Sequence, residues 1–268
     1  MRLALAQILV EGGEPWRNFE RAEKKIKEAK EQQADIVLLP ETLDLAWTHP
    51  STFNEAETIP GKFSDFFCSL AAQHKVWLCL GLTELEGDKR FNTALLINDK
   101  GEIIGKHRKI NLLTVEFNYY EVGQSLNVYN TPFGKIGLNV CADNYLDALD
   151  IGHTLARMGA QLILSPSSWT VDFSITEAED PYRDKWIKPL SVLAQTHGLV
   201  IASATSVGYI VGGPYEGKKM VGCSLCIDKD GIMARGEFNE FAGDLVMVEF
   251  EMPERKLKGV EIGPLIYK

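Results

Sequence analysis

Short apolar runs alternate with amphipathic stretches along the chain. Leu3 to Val10 is apolar up to Glu11 and reads as a first strand. From Pro15 to Ala29, the positions Phe19, Ala22, Ile26 and Ala29 recur at helical spacing with Pro15 in the first turn, which predicts an amphipathic surface helix. Ala34 to Leu39 is short and largely apolar, as in a strand covered on both faces, and Pro40 stops it. Glu41 is thereby left just past a buried strand end. After the Pro60-Gly61 break the pattern predicts a helix from about Phe63 to His74 and a strand from Val76 to Leu82.

Phe91 to Ile97 and Glu102 to Lys106 flank the turn Asn98-Asp99-Lys100-Gly101, which predicts a hairpin running on towards Lys109. A similar hairpin recurs where Cys223 to Ile227 meets Asp228-Lys229-Asp230-Gly231, so two related halves are expected to pack together. Between them lie a strand from Gly134 into Cys141 and a helix from about Tyr145 to Met158. The strand Gln161 to Leu164, a helix from about Tyr182 to Thr196 and the strand Leu199 to Ala204 follow. This alternation predicts an α/β fold of two mixed sheets packed face to face with helices outside, forming a single domain over 1–268.

Apolar residues make up 45% of the chain and charged residues 24%, values of a globular protein with a sizeable core. A net charge of −9 argues against nucleic acid or an anionic membrane as partner and favours a small molecule. The first apolar run has no small-residue cleavage site and nothing approaches membrane-spanning length. Five scattered cysteines do not form a disulfide framework, so a reducing cytoplasm is expected.

Glu41, Lys109 and Cys141 each follow a predicted strand, where α/β sheets gather their ligand-binding residues. A thiol becomes a nucleophile with a base beside it, a carboxylate in an apolar pocket can be that base, and an ammonium can hold the oxyanion formed on attack. The bland alternatives are a buried structural cysteine, a turn carboxylate and a solvated lysine in the run Lys106 to Lys109. A metal-dependent phosphoesterase is the rival chemistry, but none of His49, His74, His107, His153 and His197 falls in a ligand pattern. Cys223 and Cys226 resemble a metal or redox pair, yet strand alternation puts them on opposite faces, so neither metal nor cofactor is expected.

Four ordered motifs sharpen this picture: Leu38 to Thr42, Gly105 to Leu112, Val115 to Gly123 and Gly137 to Asp143. Together with Leu3 to Gln7, Asn92-Thr93-Ala94 and Val221 to Ser224, they resemble the nitrilase (carbon–nitrogen hydrolase) superfamily, amidase-like branch, over nearly the whole chain. The resemblance implies an αββα four-layer sandwich, paired into a homodimer or larger homo-oligomer. It also implies Glu41 as general base, Lys109 as oxyanion stabiliser, Cys141 as nucleophile, Glu116 as an orienting carboxylate and the Ala142 N–H as second oxyanion donor. Trp169 stands where family members form a pocket wall, with a core role as its alternative, and Tyr119 and Tyr120 beside Glu116 are candidates to line the same pocket.

The segment Ala142 to Ala148 keeps Asp143 but departs from the family pattern, and it lacks the arginine that holds a substrate carboxylate. Arg183 or Lys185 could substitute for it. The expectation is an amidase that releases ammonia from a small amide through a thioester. N-carbamoyl amine hydrolysis, nitrile hydrolysis and a catalytically silent scaffold are the alternatives.

Overall fold

A computed structural model of the chain describes residues 1–179 and 181–255, without the side chains of 181–184. The strands are β1 (Arg2–Leu9), β2 (Ile36–Leu38), β3 (Trp77–Glu86), β4 (Lys89–Ile97), β5 (Ile103–Arg108), β6 (Val128–Thr131) and β7 (Gly134–Leu138). Then come β8 (Leu162–Ser167), β9 (Thr170–Val171), β10 (Val200–Tyr209), β11 (Lys219–Val221), β12 (Leu225–Asp228), β13 (Gly231–Arg235) and β14 (Asp244–Glu249). The helices are α1 (Pro15–Glu31), α2 (Thr52–Glu55), α3 (Lys62–His74), α4 (Leu149–Arg157) and α5 (Pro181–His197).

One sheet runs β14-β1-β2-β3-β4-β5 and the other β6-β7-β8-β10-β12-β13. Both repeat the same succession of pairings: one antiparallel, two parallel, two antiparallel. The chain is thus two copies of one motif, as the two hairpins had suggested. The sheets join where Ile8 and Leu9 pair with Ser206 and Val207.

Period-two alternation sorts the side chains into layers. In β1, Leu3 and Leu5 point between the sheets with Ile36, Leu38, Ile136, Leu138, Leu162 and Leu164, while Ala4, Ala6 and Ile8 point outwards. The outward face is covered by Phe19 and Ile26 of α1 and Phe63 and Phe67 of α3. The second sheet is covered by Leu155 of α4 and Trp186, Leu190 and Leu193 of α5. Helix, sheet, sheet and helix therefore stack as the expected αββα sandwich. Among the described residues no helix is long and apolar enough to cross a membrane.

Three local expectations are corrected. The helix predicted from Tyr145 begins only at Leu149, after tight turns at Cys141–Asn144 and Leu146–Ala148. The cause is local hydrogen bonding: Asp143 Oδ2 accepts from the Val140 N–H at 2.9 Å, and Asn144 exchanges amide bonds with Asn139, so these side chains compete with the helix. β8 continues through Pro166, which pairs with Ala204 on one side, while its β7 partner ends at Leu138 opposite Leu164. Pro166 therefore loses no ladder bond. Cys223 lies at a kink with φ +62° before β12 rather than within a strand, although it and Cys226 do enter different core layers.

Candidate active site

Glu41 is held by the close approach of its turn to β3. Gly81 N–H donates to Pro40 O at 3.0 Å and Leu43 N–H to Gly81 O at 2.9 Å. A Cβ on residue 81 would stand 2.6 Å from Glu41 Cα, so only glycine allows this contact. Lys109 extends β5, its N–H bonded to Asn92 O and its carbonyl to the Gly123 N–H, both at 2.8 Å. Cys141 lies three residues beyond β7, which ends at Leu138 rather than running into the cysteine as expected, and it opens the tight turn Cys141–Asn144 with φ +45°, a left-handed conformation that costs a non-glycine residue about 1–3 kcal/mol and marks a constrained turn.

These turns converge. Lys109 Nζ donates to Glu41 Oε1 at 2.9 Å and to Glu116 Oε1 at 2.8 Å, with all three side chains shielded from solvent. Asn92 Nδ2 donates to Glu41 Oε1 at 2.6 Å, and Trp47 Nε1 to Glu116 Oε1 at 2.7 Å. Glu116 Oε2 accepts from the Leu113 N–H at 2.7 Å. Glu41 Oε2 and Asn92 Oδ1 are the atoms of this cluster that stay buried without a hydrogen-bond partner among the described residues, and of the two only Glu41 Oε2 belongs to a carboxylate.

Burial raises the Glu41 pKa against the opposing pull of Lys109, so this carboxylate is a better proton acceptor than an exposed one. Burial alone would discharge Lys109, but Glu116 and Glu41 hold its ammonium well above the ordinary value. The Cys141 thiol is pushed well up by burial and by the Glu41 charge, which Lys109 partly offsets, so it rests protonated. Cys141 Sγ contacts Ser168 O at 3.7 Å. The Ala142 N–H occupies the second position of the turn that Cys141 opens, where an N–H has no partner within the turn.

Asp143 clasps the strand bearing Lys109 to the turn bearing Cys141. Its Oδ1 accepts from the N–H groups of Ile110 at 3.1 Å and Asn111 at 2.7 Å, and its Oδ2 from the Val140 N–H and from His107 Nε2 at 2.8 Å. Asn111 Nδ2 completes the clasp on Ala142 O at 2.7 Å.

Across Ser168, whose carbonyl meets Cys141 Sγ, lies a narrow cleft whose wall includes Trp47, His49, Ser168, Tyr209, Val211 and Met220, with a cavity of about 20 Å3. That is room for a water-sized group. The structure brings Glu41, Lys109 and Glu116 into direct contact, and the charges of Glu41 and Lys109 act on the Cys141 thiol. It places Tyr120 in a buried cluster, its hydroxyl accepting from the Thr48 N–H at 3.3 Å, and Tyr119 half-buried against Phe53. Trp169 is buried in the core layer shared with Cys141, stacked on Trp186 at 4.5 Å. The Arg183 side chain lies outside the described residues, and Lys185 is exposed. Trp47, Asn92, Asp143 and Ser168 are additions to the sequence-predicted set. Asn92 and Asp143 lay inside motifs already singled out, whereas nothing in its neighbourhood flags Trp47.

The sequence model for the carbon-nitrogen hydrolase family matches residues 2–256. A nitrilase of Pyrococcus abyssi is 32% identical over 179 residues, covering 65% of this chain and 67% of that protein. The omega-amidase NIT2 of Xenopus tropicalis is 30% identical over 180 residues, covering 63% and 64%. The alignments thus span about two thirds of these curated relatives. An amidase of Nesterenkonia sp. AN1, solved with the acetamide moiety of fluoroacetamide covalently added at its active-site cysteine, superposes with a TM-score of 0.79 at 21% identity. That superposition covers 94% of this chain and 90% of the amidase, a likeness of fold.

Proposed function

From the premise that the chain belongs to the carbon-nitrogen hydrolase family, we propose that it is a cysteine amidase releasing ammonia from a small amide. The observation that carries this reading is the buried Lys109 bridging Glu41 and Glu116, with Glu41 Oε2 left unpartnered and coupled to the thiol of Cys141.

Glu41 Oε2 takes the proton from Cys141 Sγ as sulfur attacks the amide carbon. The carbonyl oxygen becomes an oxyanion, held by the Ala142 N–H and by Lys109, which has a third N–H left after its two carboxylate bonds. The C–N bond breaks as Glu41 returns the proton to the departing nitrogen, which leaves as ammonia. A thioester remains on Cys141. Water, losing a proton to Glu41, attacks it; the carboxylic acid departs and the thiol is restored. Glu116 acts through Lys109 and Trp47 by fixing the ammonium.

The raised Glu41 supports this sequence because a stronger base narrows its proton-affinity gap to the thiol. The family assignment replaces the phosphoesterase reading. A nitrile substrate is the second reading, favoured by the Pyrococcus abyssi relative. A panel of neutral amides, carbamoyl compounds and nitriles, assayed for ammonia and carbon dioxide, separates them. Ammonia from amides without carbon dioxide supports an amidase; ammonia with carbon dioxide means carbamoyl hydrolysis.

The same reading includes a cytoplasmic setting, in keeping with five cysteines that form no disulfide, and self-association through the face of α4 and α5, where Val192 of α5 and Met158 just past α4 are exposed. Sedimentation tests the latter.

A further inference from the structure

The cleft across Ser168 from Cys141 has a chemical character of its own. It touches the site at two points: Ser168, whose carbonyl contacts Cys141 Sγ, and Trp47, whose indole bonds Glu116. No Asp, Glu, Lys or Arg stands among the described residues that line it. Its titratable member on the inner wall, His49, is kept neutral in two ways. Nδ1 accepts from the Ser51 N–H at 3.2 Å, which leaves the proton on Nε2, and burial lowers its pKa against a weaker opposing effect of Glu55. The ring is fixed against Gly12 and Gly212, where added Cβ atoms would collide with it.

Tyr209 belongs both to this lining and to a row of exposed rings at the mouth. Its ring lies 5.8 Å from Phe173 and 5.9 Å from Phe241. Phe173 is 66% exposed, Phe241 76% and the neighbouring Val211 69%. Contiguous exposed apolar surface of this kind marks a binding surface rather than scattered side chains. Charges nearby are matched in pairs: Lys218 with Asp172 at 2.6 Å and Lys219 with Glu240 at 3.0 Å. A cavity of about 20 Å3 admits no more than a water-sized group such as an amide's –NH2 or carbonyl oxygen, so the remainder of the molecule must lie towards the mouth.

We propose that the substrate is an uncharged primary amide whose acyl group ends in an aromatic or comparably bulky apolar group, seated on the Phe173–Tyr209–Phe241 rim. The inference rests on the amidase reading above. A substrate carboxylate would find no cation among the described lining residues, and burying it unpaired is costly. An aryl group instead meets the edges and faces of three rings.

The test is steady-state kinetics of the full chain on 3-phenylpropanamide, propanamide and the anionic amide glutaramate. kcat/KM for 3-phenylpropanamide should exceed that for propanamide and glutaramate at least tenfold. In Phe241→Ser and Phe173→Ser, both surface changes remote from the core, the ratio of 3-phenylpropanamide to propanamide should fall at least fivefold. Preference for glutaramate, or an aryl amide no better than propanamide, overturns the substrate class while leaving an amidase. A variant that changes the sedimentation coefficient but keeps the ratio gives the rim to self-association and overturns it too. Ammonia from none of the three overturns the amidase reading and this inference with it.

Discussion

Lys109 Nζ lies 2.8 Å from Glu116 Oε1, and neither side chain reaches solvent. The ammonium is therefore committed to the protein, and its removal leaves Glu41 and Glu116 as buried carboxylates facing one another. Lys109→Met should destabilise the fold by about 3–5 kcal/mol, the usual cost of stranding the partners of a buried ion pair, besides removing the proposed oxyanion donor. Chemical denaturation checks the stability and ammonia release the activity. A Lys109→Met protein as stable as the parent would mean that the two carboxylates are not both charged.

Asp44 predicts a pH dependence. It is buried, bonded to the Thr83 N–H at 2.9 Å, and burial raises its pKa from 3.8 to about 7. The folded state thus binds this proton more tightly than the unfolded one. The stabilisation is complete below about pH 4 and is lost as pH rises to about 7, an effect on the order of 4 kcal/mol. Asp44→Asn, neutral at every pH, should gain stability relative to the parent between pH 5 and pH 8. Thermal unfolding of both proteins across that range measures it, and parallel curves would contradict it.

The Asp143 clasp predicts a loss in kcat rather than in KM. Without its bonds to Ile110, Asn111 and Val140, Lys109 and the Cys141 turn lose their common register. Displacements of about 1 Å cost on the order of 10²-fold in rate, so Asp143→Ala should lower kcat about that much with KM little changed. Asp143→Asn, which keeps an acceptor oxygen for the backbone N–H groups, should recover part of the loss. Equal kcat in Asp143→Ala and the parent would remove the clasp from the positioning machinery.

Much of this was legible in the sequence because it depends on local periodicity. Leu3, Leu5, Ala4 and Ala6 sort themselves between two core layers by alternation alone, and Pro40 announces the end of β2, whereas β7 stops at Leu138, three residues short of the expected end at Cys141. The repeated hairpins at Asn98 and Asp228 likewise foretold two related sheets. What escaped depends on contacts distant in sequence. Trp47 reaches Glu116 across 69 positions because its loop folds over the site, and no spacing rule encodes that. The helix misplaced behind Cys141 has a different cause: Asp143 and Asn144 look compatible with a helix start, but their side chains are engaged by Val140 and Asn139 instead.

The most direct test of the account is peptide mass spectrometry after exposure to a small haloamide such as fluoroacetamide. One adduct should form, on the peptide containing Cys141, and it should form more slowly in Glu41→Gln, where the base is gone. Cys79 and Cys226, both fully shielded in the core between the sheets, should stay unmodified: burial raises their thiols as it raises Cys141, without the Glu41 carboxylate that takes the proton there. The Cys141→Ala protein, folded as judged by an unchanged unfolding transition, should form no adduct and release no ammonia. Full amide hydrolysis by Cys141→Ala, or an adduct confined to another cysteine, would contradict Cys141 as the nucleophile.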